Sequence, residues 1–303
     1  MGQFGVPAEA QFPAVIRLAL GTVQFGQKYG IANVSGQVGA ATAAAILARA
    51  RTAHVDTLDT AIAYGNSEAC LGEAGVSEWR VVTKLPPLPA GVANASVWAE
   101  EQAHSSLRRL RIEQLEALLL HSPADLLGES AHGLIGALES LKAKGLIRAA
   151  GISIYNPTQL ELIWKVWQPD LVQVPCNVLD RRLIRSGWLE RLCRQGVRIH
   201  VRSLFLQGLL LMSAPQRPVW FGRWSELLDR WLNWCNANEV LPIEAALAFA
   251  QSVPGVERLI VGVDSAEQWE EVLAASVAST TLPPEDFASE DPDLIEPSRW
   301  ILA

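Results

Sequence analysis

Short runs of valine, leucine, isoleucine and alanine recur along the chain, separated by segments whose apolar residues return every three or four positions. The runs lie at Ile16–Gly21, Val55–Asp59, Val81–Lys84, Ala117–His121, Ala149–Ile154, Leu171–Pro175, Arg198–Ser203 and Leu259–Gly262. Taken together they read as near-continuous runs of Val, Leu and Ile rather than as the alternation of a strand with one wet face. Near-continuous apolar strands belong to a parallel sheet covered on both sides. Helical periodicity fills the intervals at Ala41–Arg51, Val97–Leu110, Leu134–Ala143, Thr158–Val166, Leu183–Arg194, Ile243–Gln251 and Ser265–Leu273. Their punctuation agrees. Arg108, Arg109 and Arg111 gather where a helix C-terminus favours cations, Gly145 and Gly196 follow as C-caps, and Pro242 opens a first turn.

Eight such units at roughly 30-residue spacing predict an α/β protein built as a (β/α)₈ TIM barrel. The pattern implies one domain over 1–303, with the barrel at about 14–276 and a proline-spotted tail over 277–303. The alternative is a doubly wound sheet. It requires Gly-x-Gly-x-x-Gly after an early strand, and no Gly-x-Gly occurs.

Composition adds exclusions. With 50% hydrophobic and 19% charged residues the chain has ample core material and is not globally disordered. A net charge of −7 offers no basic surface to nucleic acid. The longest apolar stretches, such as Leu204–Met212, fall well short of the ~18 residues a membrane span needs. The first residues show neither the basic nor the apolar region of a signal peptide, and Gly2 with Val6 fails the myristoylation pattern. Cys70, Cys176, Cys193 and Cys235 lack C-x-x-C spacing and read as reduced thiols, not as a disulfide frame or metal site. The expectation is a soluble, cytoplasmic protein without metal, nucleic-acid or membrane partners. Its oligomeric state is left open.

In a barrel, reactive side chains gather where strands end. The second apolar run ends at Asp59 and leads to Tyr64, the third ends at Lys84, and the fourth ends at His121. An unpaired polar group in such places costs several kcal/mol, roughly, so these groups make sense as a set. Tyrosine alone is a poor acid near neutrality. An adjacent lysine ammonium lowers its pKa, an aspartate holds the lysine, and a histidine orients a carbonyl beside the phenol.

With these residues in place the sequence resembles the aldo-keto reductase family. The matching stretches are Leu18-Ala19-Leu20-Gly21-Thr22, Asp59-Thr60-Ala61-x-x-Tyr64-Gly65-x-x-Glu68, Thr83-Lys84, Leu120-His121, Gly151-Ile152-Ser153, Gln173-x-x-x-Asn177 and Ile260-Val261-Gly262-Val263. The resemblance implies reduction of an aldehyde or ketone, a sugar-like one among the options, by NADP(H), with NAD(H) as the other cofactor. It makes Tyr64 the general acid, tuned by Lys84 and Asp59, with His121 orienting the carbonyl. It also assigns Gly21, Thr22, Ser153, Gln173, Ser203, Phe205, Gly262, Asp264, Gln268 and Glu271 to the cofactor, with Asn177 a further candidate near the nicotinamide and Phe205 as the stacking aromatic.

Two departures stand out. Ile154 occupies a position where the family commonly has an asparagine facing the nicotinamide carboxamide. After the last strand, where many members place basic residues for a 2′-phosphate, Asp264, Glu267, Glu270 and Glu271 bring only carboxylates, and arginines outside this segment, Arg217 or Arg223 among them, would have to supply a clamp. Among eleven tryptophans, Trp220, Trp224 and Trp231 share helical spacing and read as a packed face. Trp220 and the tail residue Trp300 are also candidates for a substrate-binding wall. Two rival functions use the same fold: a lyase or aldolase with Lys84 as Schiff-base nucleophile, and a non-catalytic cofactor-binding sensor. The first needs a depressed lysine pKa, which Asp59 should oppose. The intact Asp59, Tyr64, Lys84 and His121 set argues against the second.

Overall fold

In the computed structural model the chain is described over residues 17–279 and 281–302. Ile16 and the barrel start near residue 14 lie outside the described residues, as do Gly2 and Val6. Eight strands close into a barrel: β1 (Leu18–Gly21), β2 (Thr57–Asp59), β3 (Arg80–Leu85), β4 (Leu115–Leu120), β5 (Ile147–Ser153), β6 (Leu171–Pro175), β7 (Arg198–Arg202) and β8 (Arg258–Gly262). Every neighbouring pair is parallel, and β8 returns to β1 with Leu18 opposite Leu259 and Gly21 opposite Gly262. The predicted strands all exist. His121, Ile154 and Ser203 lie one residue past their strands, where the chain already turns away.

The predicted helices are present and mostly longer. Asn94 starts the helix Ala95–Leu110 two residues early, because its side chain accepts from the backbone N–H groups of Ser96 and Val97. The run Leu183–Arg194 is two helices, Arg182–Arg185 and Trp188–Arg194, parted at Gly187 with φ +76°. Helices at Ser67–Ala74 and Ser225–Ala237 add to the predicted elements. No helix of the described residues is long and apolar enough to cross a membrane.

The barrel interior is layered. Arg258 donates to Thr57 and Asp56, and Arg198 pairs with Glu116 and Glu257, at the N-terminal end of the strands. Above them Val82, Ala117, Leu119, Ala149 and Leu171 form a separate apolar plug. Two residues further along β3 and β6, Lys84 and Gln173 begin a polar layer at the C-terminal mouth. That layer therefore rests on hydrocarbon, where charges are weakly screened and unpaired groups are costly.

Candidate active site

The loop after β2 presents Tyr64 because two glycines let backbones touch. A Cβ on Gly26 would meet the Tyr64 carbonyl oxygen at 1.7 Å, and one on Gly65, at φ +55°, would meet the Gly26 oxygen at 2.2 Å. Behind the loop, the buried Glu68 carboxylate accepts from Thr83 and Ser106 at 2.6 Å each and pairs with Arg109. This ties the helix after Tyr64 to the strand that carries Lys84.

Lys84 Nζ donates to Asp59 Oδ1 at 2.6 Å and to the Thr60 carbonyl at 2.7 Å. The other oxygen, Asp59 Oδ2, accepts from Gln173 Nε2 at 2.6 Å, and Ser153 Oγ donates to Gln173 Oε1 at 3.2 Å. Lys84 Nζ stands over the Tyr64 ring, 5.1 Å from its centroid. His121 meets that ring edge-on at 5.9 Å and 76°. Side chains from several strand ends thus converge on one phenol.

Burial sets the protonation states. It pushes Tyr64 well above the ordinary tyrosine range, with the Asp59 charge adding to the effect and Arg202 opposing it. The acidification of Tyr64 expected from Lys84 is not what the fold produces, because burial dominates and raises the phenol. Burial likewise lowers the Lys84 pKa although Asp59 acts the other way, so the depressed lysine that Asp59 was expected to prevent is present. The His121 imidazole falls from 6.5 to about 3, through burial first and then the Lys84 and Arg202 charges. It is neutral at working pH and able to donate to a carbonyl oxygen from its N–H.

A stability consequence follows. Between pH 6.5 and about 3 the unfolded chain carries a proton on His121 that the folded chain lacks. The folded state is fully favoured above 6.5 and loses stability as pH falls through that window, a sense that the fully buried His200 shares. His121→Gln should therefore give a shallower loss of Tm on acidification from pH 6.5 than wild type. Parallel Tm curves for the two proteins would refute the assignment.

Asp59, Tyr64 and His121 lie in the wall of a cavity of about 570 Å³ that runs across the mouth to the loop after β8. At that far end Asn33 Nδ2 donates to Asp264 Oδ1 at 2.8 Å, and the Asp264 N–H donates to Gln268 Oε1 at 2.7 Å. Ser265 caps the helix Ala266–Ala278 by accepting from the Gln268 N–H.

A family model, the Aldo/keto reductase family, matches residues 17–291. The chain belongs to the aldo/keto reductase family. An aldo-keto reductase from Mycolicibacterium paratuberculosis is 33% identical over 112 residues, 35% of this chain and 37% of its own. The uncharacterized oxidoreductase YqkF of Bacillus subtilis is 26% identical over 193 residues, 61% of this chain and 62% of that protein. The matches span less than two thirds of these curated relatives' lengths. Among solved structures, the holo form of an aldo-keto reductase from Bacillus halodurans superposes with a TM-score of 0.71 at 21% identity, covering 88% of each chain. An aldo-keto reductase from Klebsiella pneumoniae in complex with NADPH gives 0.62 at 22% identity, covering 86% of this chain and 85% of that one. Both share the barrel.

The aldo/keto reductase motifs fall into two groups in space. Gly21, Thr22, Ser203, Phe205, Gly262, Asp264, Gln268 and Glu271 line the cavity with the tyrosine and histidine. Ser153, Gln173 and Lys84 sit beneath that lining, bound to one another or to Asp59. Asn177 is absent from the wall. It donates to the Ser203 carbonyl and accepts from the N–H groups of Leu179 and Asp180, shaping a turn. The Ile154 side chain is packed in the core, while its carbonyl accepts from Arg202 Nη2 at 2.9 Å.

The tryptophan expectation needs correction. Neither Trp220 nor Trp300 lines the cavity. Trp220 donates to the Asp293 carbonyl, and Trp300 donates to the Leu294 carbonyl and meets Phe221 edge-on at 4.9 Å. Both pin the tail to the loops after β7; the tail itself reaches the cavity through Pro297 and Ser298. The arginine clamp is also corrected. Arg217 is paired with Asp229 and Arg223 with Asp293, and neither touches the cavity. Gln24, Tyr29, Asn33, Tyr155 and Arg202 line it without having been expected from the sequence. Arg202 ends β7, where Arg198 and His200 alternate with Ile199 and Val201, so no break in an apolar run marked it. Tyr29 and Asn33 sit on a loop with no periodicity to mark them.

Proposed function

We propose that this aldo/keto reductase reduces an aldehyde or ketone to an alcohol with NAD(P)H, using Tyr64 as proton donor. The observation that carries the reading is the buried Lys84–Asp59 pair beneath the Tyr64 ring, with neutral His121 at the ring edge. The wall fits a long polar ligand. Gln24 Oε1 is a buried acceptor without a donor among the described residues, facing the cavity where a Cβ on Gly262 would fill the space at 2.6 Å from it. Gly21, Thr22, Gln24, Ser203, Phe205, Gly262, Asp264, Gln268 and Glu271 would hold the dinucleotide. When bound, its reduced nicotinamide supplies the hydride to the carbonyl carbon. The Tyr64 hydroxyl gives its proton to the carbonyl oxygen, and His121 Nδ1–H or Nε2–H fixes that oxygen. Lys84 offsets the charge left on the phenolate, and Asp59 and Gln173 hold Lys84 in place.

The lyase reading is weaker for a geometric reason. Lys84 Nζ is held by two acceptors and lies below the lining, so its lone pair is not presented to a substrate. One assay separates the readings: purified protein with NADPH or NADH and a panel of aldehydes and ketoses, followed by borohydride treatment. Loss of nicotinamide absorbance supports reduction. A borohydride-trapped adduct on Lys84 without turnover overturns it in favour of the lyase, and tight cofactor binding without turnover overturns it in favour of the sensor.

The cofactor expectation is NADP(H), with use of NAD(H). A 2′-phosphate brings about two negative charges and calls for Arg or Lys. The far end of the cavity offers Asp264 and Glu271 instead. Only a modest preference for NADPH is expected, with measurable turnover of NADH. Gln268→Arg should shift the ratio of kcat/KM values toward NADPH by about 1–2 kcal/mol. Wild-type discrimination against NADH by several orders of magnitude would refute this.

A further inference from the structure

Asn177 and Arg182, which the proposed reaction does not use, belong to one construction. Asn177 Oδ1 accepts from the N–H groups of Leu179 and Asp180, and the turn so formed leads Asp180 into the short helix Arg182–Arg185. Asp180, fully buried, accepts from Arg182 Nε at Oδ1 and from Nη2 at Oδ2, both at 2.9 Å, so a carboxylate aims the guanidinium. From there the fork reaches two places. Nη2 donates to the Tyr155 carbonyl at 3.1 Å, and Nη1 donates to Glu296 Oε1 at 2.6 Å. Four of the five N–H groups are engaged in this way.

Both targets border the cavity. Tyr155 lines it after β5 and is near enough to Tyr64 for their charges to interact. Glu296 immediately precedes Pro297 and Ser298, the tail residues in the wall. The flanks of that stretch are fixed by other means. Leu294 and Ile295 are fully buried, and Trp300 donates to the Leu294 carbonyl. Between the flanks, Arg299 pairs within the tail itself, with Asp293. Among the described residues, Glu296–Arg182 is therefore the one hydrogen bond or ion pair that carries residues 296–299 across to the barrel. An exposed ion pair would do little there. This one is largely out of water, with the arginine 8% and the acid 15% exposed, and the fork is already held in direction by Asp180.

We propose that Arg182 is a positioning residue of the substrate pocket: by holding the Tyr155 carbonyl and Glu296 at once, it fixes the tail against the wall after β5 and so sets how bulky a carbonyl compound the pocket accepts. The inference rests on the reductase reading above. Arg182 touches no substrate and acts through Tyr155, Pro297 and Ser298. A small aldehyde does not feel the position of that wall, whereas one that fills the pocket does. One methylene too many in a fixed pocket is worth roughly 10- to 200-fold in discrimination.

The test is a size series, propanal, benzaldehyde and 2-naphthaldehyde, with either cofactor. Glu296→Ala should leave kcat/KM for propanal within a few-fold of wild type. It should raise the ratio of kcat/KM for 2-naphthaldehyde over propanal by about 10-fold or more, through KM. Glu296→Gln, whose amide oxygen still accepts from Nη1, should fall between the two. Arg182→Lys should behave like Glu296→Ala, because one ammonium cannot serve Asp180, Tyr155 and Glu296 together. If that variant does not fold, Glu296→Ala decides alone, since its Arg182 keeps Asp180. An unchanged or smaller size ratio in Glu296→Ala, refusal of 2-naphthaldehyde by both proteins included, overturns the inference and leaves the pair as structural support. An equal fall in kcat for all three aldehydes also overturns it, because the pair then acts on the reacting groups and not on the wall. Failure of wild type to reduce any of the three counts against the reductase reading itself.

Discussion

Replacing Tyr64 by phenylalanine is expected to lower kcat by ~10² or more while the dissociation constant for the nicotinamide cofactor stays within a few-fold of wild type. The substitution removes one hydroxyl and keeps the ring that packs against His121 and Lys84. A hundredfold loss corresponds to about 2.7 kcal/mol of transition-state stabilisation. Because burial holds Tyr64 above the ordinary tyrosine range, the wild-type phenol stays protonated throughout the working pH range and remains a donor. Single-turnover rates and cofactor fluorescence titration measure the two quantities separately. A variant with near-normal kcat would remove Tyr64 from the proton-donor role.

The second large effect lies at Lys84. Lys84→Met keeps most of the side-chain volume but leaves the Asp59 carboxylate, already out of water, without its counter-ion. Breaking a buried pair from one side costs about 3–5 kcal/mol, so both Tm and turnover should fall. The double variant Asp59→Asn/Lys84→Met separates the two losses. It removes both charges, and the amide oxygen of the introduced asparagine still accepts from Gln173. Much of the lost Tm should return, because a neutral pair of similar volume is often as stable as the ion pair it replaces. Turnover should not return, since nothing then offsets charge on the Tyr64 phenolate. Recovery of activity together with stability would make the pair a structural support and not part of the chemistry.

The chemistry of the site was legible where it interrupted a pattern. Asp59, Lys84 and His121 each close an apolar run, and the barrel brings strand ends together, so their convergence could be argued from order alone. Arg202 lacks that mark, since it closes a strand in which polar residues alternate with Ile199 and Val201. The tryptophans mislead for the opposite reason. Their spacing shows a packed face, but their choice of partner depends on where the tail lies. Trp300 and Trp220 are both absorbed by the segment Asp291–Ile295 and its surroundings.

Periodicity decided the number and order of strands, because a parallel strand covered on both faces has to be apolar nearly throughout, and that requirement is written locally. It also decided the family, through short motifs whose residues sit within a few positions of one another. What one dimension could not carry is burial. The phenol of Tyr64 is raised, the imidazole of His121 is held neutral, and Lys84 is lowered against the pull of Asp59, all because an apolar plug lies beneath the mouth of the barrel. Desolvation depends on every neighbour around a group, and those neighbours come from distant strands, Gln173 and Asp59 being 114 positions apart. Only the closed barrel assembles them.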